Sequence, residues 1–202
     1  MKLRKQSKLI GFCILIIVLF YFLNKKEILR VAEINQDKIE DFDIILSKGQ
    51  SFQSKLISLL KLSTEDYSHI GIMVKQNDNL FVLHSTPDGM KSNGIRYDDL
   101  QTFIHLSSVS DYKVLRHSSV TYDLRQRLRI EFDRYKNSPV PFDFDFNNSD
   151  HSEIYCSELV YLIFKNSGLS AFSEFDIAKP IYPKYFLKMQ EFITVDLKKT
   201  SP

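Results

Sequence analysis

The 202-residue sequence contains no tryptophan and only six glycines and six prolines. So few backbone breakers exclude collagen-like and low-complexity chains. No stretch repeats, which excludes solenoids and propellers. Glycine-rich phosphate loops, GxSxG elbows, HExxH pairs and EF-hand loops are all missing, so nucleotide-dependent enzymes and standard serine hydrolases leave the front rank. Cysteine is almost missing too: Cys13 lies in an apolar N-terminal run, leaving Cys156 alone in the body. One thiol cannot close an internal disulfide, so the fold is no disulfide scaffold. Cys156 is either a small packed hydrophobe or a reactive group.

What is present suffices for a core, with 44% apolar and 26% charged residues. The net charge of +2 hides an asymmetry. Residues 1–30 carry seven Lys/Arg and one acid, and the rest of the chain nets −4. That body has no footprint for a phosphate backbone, so nucleic acid is a poor partner. Leu9 to Leu23 (LIGFCILIIVLFYFL) is uncharged and spans roughly 22 Å as a helix, somewhat short of a bilayer core. Lys8, Lys25 and Lys26 can snorkel at its ends. Tyr21-Phe22-Leu23-Asn24 offers no small residues for signal cleavage, and Ile10-Gly11-Phe12 before Cys13 argues against lipoprotein processing. The expectation is an uncleaved anchor, with a cleaved signal as the alternative. Basic residues before the span weakly place the N-terminus in the cytoplasm and the body on the exported side. The layout is a basic N-terminus (1–8), a transmembrane anchor (9–23), a stalk (24–40), a catalytic domain (41–197) and a tail (198–202).

Within the body, Asp43 to Ser47 reads as a first strand and Ser51 to Leu62 as a helix. Tyr67 to Lys75 is a strand whose alternate faces are His69, Gly71, Met73 and Ile70, Ile72, Val74. Turn residues 76–79 lead to a returning strand, Leu80 to Ser85. A strand over 94–97, a short helix over 98–104 and a strand over 111–115 follow. Tyr122 to Asn137 is helical, with Leu124, Leu128, Phe132 and Tyr135 on one stripe. Ile154 to Ser167 is an apolar helix with Gly168 at C′, and 191–197 is a final strand. Few strands alternate with helices, so the pattern predicts an α+β domain with a mostly antiparallel sheet packed against helices.

Three residues can carry chemistry. Cys156 falls in the first turn of the 154–167 helix, where free N–H groups and the helix dipole favour a thiolate and can hold an oxyanion. His69 sits mid-strand beside Ser68, with Gly71 on its face leaving room for an approaching group, a placement suited to a general base. His84 on the neighbouring strand is placed to orient His69 as a third member. Each also reads as a structural residue: a packed cysteine, a core histidine, a strand-end histidine. A zinc site from the same three is the other use of the set, but no close Cys/His pair accompanies it. Tyr67, Ser68, Tyr155, Ser157, Glu158 and Asp43 are possible lining. Glu158 alternatively suits the helix dipole, and Asp43 alternatively only begins a strand. His105, His117 and His151 read as surface or loop residues.

The segments DFDIIL (41–46), YSHIGI (67–72) and YCSELV (155–160) together resemble the YiiX/YebB-like family of circularly permuted papain-like proteins, related to the NlpC-type cysteine hydrolases. Pro141 to Phe144 is similar to that family's PYDF stretch, and Pro180 to Pro183 to its proline-containing tail. The resemblance covers about residues 41–190. It implies a permuted papain-like fold, Cys156 as nucleophile, His69 as base and no cofactor. Many relatives have an acidic third residue, whereas His84 is similar to the lecithin:retinol acyltransferase group. Phe42 stands where the family has glycine. The implied activity is hydrolysis of an amide in a peptide or peptidoglycan stem. A lipid-directed thiol acyltransferase and a non-catalytic binding module are the alternatives.

Overall fold

The computed structural model describes residues 34–49, 67–87, 94–107, 109–169, 171–172 and 178–197. The expected anchor (9–23), most of the expected stalk and the expected 51–62 helix lie outside the described residues. Among the described residues, no helix is long and apolar enough to cross a membrane.

Six strands form one sheet: β1 (Ile44–Gly49), β2 (His69–Gln76), β3 (Asn79–Thr86), β4 (Gly94–Asp99), β5 (Val109–His117) and β6 (Phe192–Val195). Their spatial order is β4-β3-β2-β1-β5-β6, and every neighbouring pair is antiparallel. The helices are α1 (Leu100–Ser107), α2 (Tyr122–Lys136), α3 (Cys156–Asn166) and the one-turn α4 (Pro183–Phe186). The α+β architecture read from the sequence holds, with shifted boundaries. Residues 98 and 99 end β4 instead of opening a helix, and β5 is longer than expected.

Period-2 alternation builds a two-sided core. Ile44 and Leu46 of β1, Ile70, Ile72 and Val74 of β2, and Leu83 of β3 pack with α2 and α3. Ile45, Met73 and Val82 face the other way, onto Leu100, Phe103 and Ile104 of α1. Asn77 and Asp78 both take positive φ (50° and 61°) in the β2–β3 turn, the backbone a two-residue hairpin needs to match strand twist. The α2 stripe is the predicted one, Leu124, Leu128, Phe132 and Tyr135, and Thr121 caps it by accepting the Leu124 amide. The α3 helix ends with Gly168 at φ +88°, and the amides of Gly168 and Leu169 bond Lys165 and Phe164 oxygens. This is a Schellman closure.

Phe42 replaces the family's glycine without changing the backbone that glycine permits: its φ is +73°. A non-glycine residue there costs about 1–2 kcal/mol. The ring offsets that cost. It is 2% exposed, meets Phe132 edge-on at 6.1 Å and lies under the Arg129 guanidinium at 4.9 Å. Full burial of such a side chain contributes about 1.5–3 kcal/mol.

Candidate active site

The α3 start reaches the sheet where β2 and β3 part. Met73 donates its amide to Asp43 on the β1 side, so the alternate amides of Ile72 and Ile70 point toward β3. The β2–β3 register stops at Ile72↔Leu83. The next outward amide, that of Ile70, lies near the Cys156 sulfur and pulls the thiol pKa down. Nearby, the Ser85 hydroxyl of β3 donates to the Ile154 carbonyl at 2.5 Å, pinning the chain two residues before Cys156. The sulfur thus lies close to the peptide that joins His69 to Ile70.

On the α1 face, His69 Nε2 and His84 Nδ1 lie 2.9 Å apart. Phe103 holds both rings: it stacks on His69 at 5.5 Å and meets His84 edge-on at 5.0 Å. Gly71 lets β3 come this close, because a Cβ there would sit 2.5 Å from Val82 Cγ1 and 3.2 Å from His84 Cβ. The room that Gly71 leaves is therefore filled by the histidine-bearing strand itself. Beyond His84, its Nε2 lies 3.0 Å from Asp98 Oδ2. Arg96 grips that carboxylate with Nε on Oδ2 at 2.8 Å and Nη2 on Oδ1 at 3.0 Å.

Sequence reasoning missed Asp98, Arg96 and Phe103. The available signal was the alternation in GIRYDD, which places Arg96 and Asp98 on one strand face. Assigning Asp98 to a helix hid it.

Electrostatics correct one expectation. Cys156 is 4% exposed. Burial pushes its thiol pKa up, against the pull of bonds from the Ser157 hydroxyl and the amides of Ile70, Ser157 and Cys156. The helix start was expected to favour a thiolate, but desolvation outweighs the pull of those groups. His69 is 5% exposed, and burial, reinforced by His84, holds its pKa well below 6.5. At neutral pH Cys156 is a thiol and His69 a neutral imidazole.

The other candidates divide. Tyr155 and Ser157 flank Cys156 and are buried. The Tyr155 hydroxyl donates to Asn148 Oδ1 at 2.5 Å and accepts the Ile181 amide at 2.7 Å. It thereby ties the 141–148 loop and the proline-containing tail to the helix start. Ser68 accepts the Gly49 amide at 3.5 Å and extends the β1–β2 pairing, while Tyr67 packs half-buried on the core. Asp43 is not brought to the site. Ser47, not Asp43, is the β1 partner of His69, and the Asp43 carboxylate is bound by Arg116. His105 is exposed. His117 was read as surface or loop but is buried at the end of β5 against Phe192, because its strand runs two residues further than expected. His151 is exposed but sits 2.8 Å from Glu158 Oε1.

Glu158 braces the helix start, accepting the Tyr155 amide at 3.4 Å. Burial, with smaller contributions from Asp143 and Asp150, raises its pKa to about 8 despite that bond. The folded state thus keeps a proton that the unfolded chain releases near its ordinary value of 4.5. Stability attributable to this group is present below that value and declines as pH rises toward 8. Glu158→Gln is therefore expected to lose less melting temperature than the parent between pH 5 and pH 8. Parallel pH profiles would refute this assignment.

A buried cysteine opening a late helix, beside an early hairpin that brings two histidines together, is the arrangement of a papain-like cysteine hydrolase with its chain order permuted. Residues 38–199 match the family described as permuted papain-like amidase enzyme, YaeF/YiiX, C92 family, and the chain belongs to that family. A crystal structure of metalloprotein YiiX from Escherichia coli O157:H7 (DUF1105) superposes with a TM-score of 0.63 at 23% identity, covering 80% of this chain and 98% of that one. At that identity the likeness is one of fold. No curated protein matches. YiiX is described as a metalloprotein. Among the described residues here, no group of three His, Cys, Asp or Glu side chains is placed to hold a metal ion.

Proposed function

We propose that the protein is a cysteine amidase in which Cys156 is the nucleophile and His69 the general base. The observation that carries this reading is the Cys156 sulfur near the Ile70 amide, one residue along β2 from His69, whose Nε2 lies 2.9 Å from His84 Nδ1. As sulfur attacks the carbonyl carbon, the thiol proton passes to His69, and a backbone N–H at the open start of α3 meets the oxyanion. Collapse expels the amine, which takes the proton from His69. Water, deprotonated by His69, then cleaves the thioester and frees the thiol. A peptide or peptidoglycan-stem amide is the substrate class, and residues 9–23 tether the body on the exported side of a membrane.

A lipid acyl donor is the second reading, favoured by histidine rather than an acid at position 84. Intact mass spectrometry of the full chain after incubation with peptide amides, muropeptide stems and phospholipid vesicles separates the two. Acylation of Cys156 by an amide substrate supports the first reading, and acylation by phospholipid alone supports the second. No adduct and no turnover with any class would leave a binding module.

A further inference from the structure

We propose that Asp98, clamped by Arg96, is a positioning residue that sets the tautomers of both histidines and so keeps Nδ1 of His69 free to accept a proton. The inference deepens the amidase reading and rests on it. An ionised carboxylate can only accept hydrogen bonds. Burial pulls the Asp98 pKa upward, but the bonds from His84 and Arg96 outweigh it and leave the value at about 2. At 3.0 Å from Oδ2, His84 Nε2 must therefore carry the proton. Burial, the largest influence on His84, disfavours a second proton there, so His84 Nδ1 holds a lone pair. His69 Nε2, 2.9 Å away, then has to donate. That leaves the lone pair of the neutral His69 ring on Nδ1, the ring nitrogen nearest its own backbone, and the sulfur sits at the very next amide. Ser47 Oγ, on the cross-strand partner of His69, is buried with no partner among the described residues, so it makes no competing bond to the ring.

The arrangement has a direction. An aspartate at the far end of two imidazoles dictates which nitrogen is basic at the near end. Asparagine can donate through its amide, which would turn His84 over to the Nδ1–H form and force the proton of His69 onto Nδ1.

The test uses the full chain and two readouts. In long-range ¹⁵N–¹H spectra of the imidazoles at pH 7, the parent is expected to show Nε2–H tautomers for His69 and His84. Asp98→Asn is expected to shift both toward Nδ1–H and to lower kcat about 100-fold or more with little change in KM, while Asp98→Glu recovers part of the rate. Unchanged tautomers, or kcat within about threefold of the parent in a folded Asp98→Asn chain, would overturn the proposal. If Asp98→Asn does not fold, Arg96→Gln serves. Losing the guanidinium raises the Asp98 pKa, so the acid limb of kcat/KM moves to higher pH, and an unmoved limb refutes the assignment. The tautomer measurement needs no substrate. Its failure is therefore distinguishable from failure of the amidase reading, which would show as turnover surviving without Cys156.

Discussion

Cys156→Ala is expected to bring amide turnover down to the uncatalysed background, a loss of about 10⁴-fold or more. The side chain is small, and the contact its sulfur makes with Ser157 Oγ is long, at 3.8 Å. Its removal should therefore cost only about 1 kcal/mol of stability, and the variant should stay folded. His69→Ala is expected to lose about 10²–10⁴-fold, the range for a general base. The double variant should be little worse than Cys156→Ala alone, because a base without its nucleophile has nothing to do. Turnover and melting are measured together on all three variants. A folded Cys156→Ala chain that still turns over would place the chemistry elsewhere.

Arg116→Ala carries the largest expected stability loss. Asp43 is 1% exposed, and its two oxygens take bonds from Arg116 Nε and Nη2, each at 2.8 Å. The same guanidinium holds Glu40 Oε1 at 2.6 Å and the Lys38 carbonyl at 2.7 Å. Removing it leaves a buried carboxylate with the Glu40 amide at 2.9 Å as its remaining donor among the described residues. Breaking one side of such a pair costs about 3–5 kcal/mol. Arg116 is itself 24% exposed, so water reaches the gap and the low end, about 3 kcal/mol, applies. For a chain of this size that corresponds to a fall in Tm of about 6–12 °C. Adding Asp43→Asn should recover part of it by removing the stranded charge, and the activity of the folded fraction should be unaffected. A drop of less than about 2 °C would contradict the account of this pair.

Much of the scaffold was legible because its signals are local. The α2 stripe, the alternating faces of β2, the apolar run of α3 and Gly168 at its end each follow from spacing within a few residues. The pairing of His69 with His84 was legible as well, since a hairpin turn of fixed type brings them onto adjacent strands. What was not legible depends on long-range packing. Asp98 belongs to the site only because β4 lies beside β3, with His84 opposite Arg96. Asp43, by contrast, was drawn away by Arg116, a residue of β5 that no local pattern couples to it. The thiolate expectation failed for the same reason. A helix start can be read from sequence, but the depth at which the sheet and the 141–148 loop bury it cannot. Phe42 shows the converse: a left-handed position usually given to glycine is held by a ring whose partners, Phe132 and Arg129, come from a helix some ninety residues further along.

The most direct test is the pH dependence of Cys156 alkylation by a small neutral reagent, in the parent and in His69→Ala. A buried thiol with a raised pKa and no base should react slowly below alkaline pH. With His69 taking its proton, the parent is expected to react faster than the variant throughout the neutral range, and the two curves should converge once the thiol ionises unaided. Superimposable curves at every pH would show that sulfur and imidazole exchange no proton, and the hydrolase mechanism built on them would be wrong.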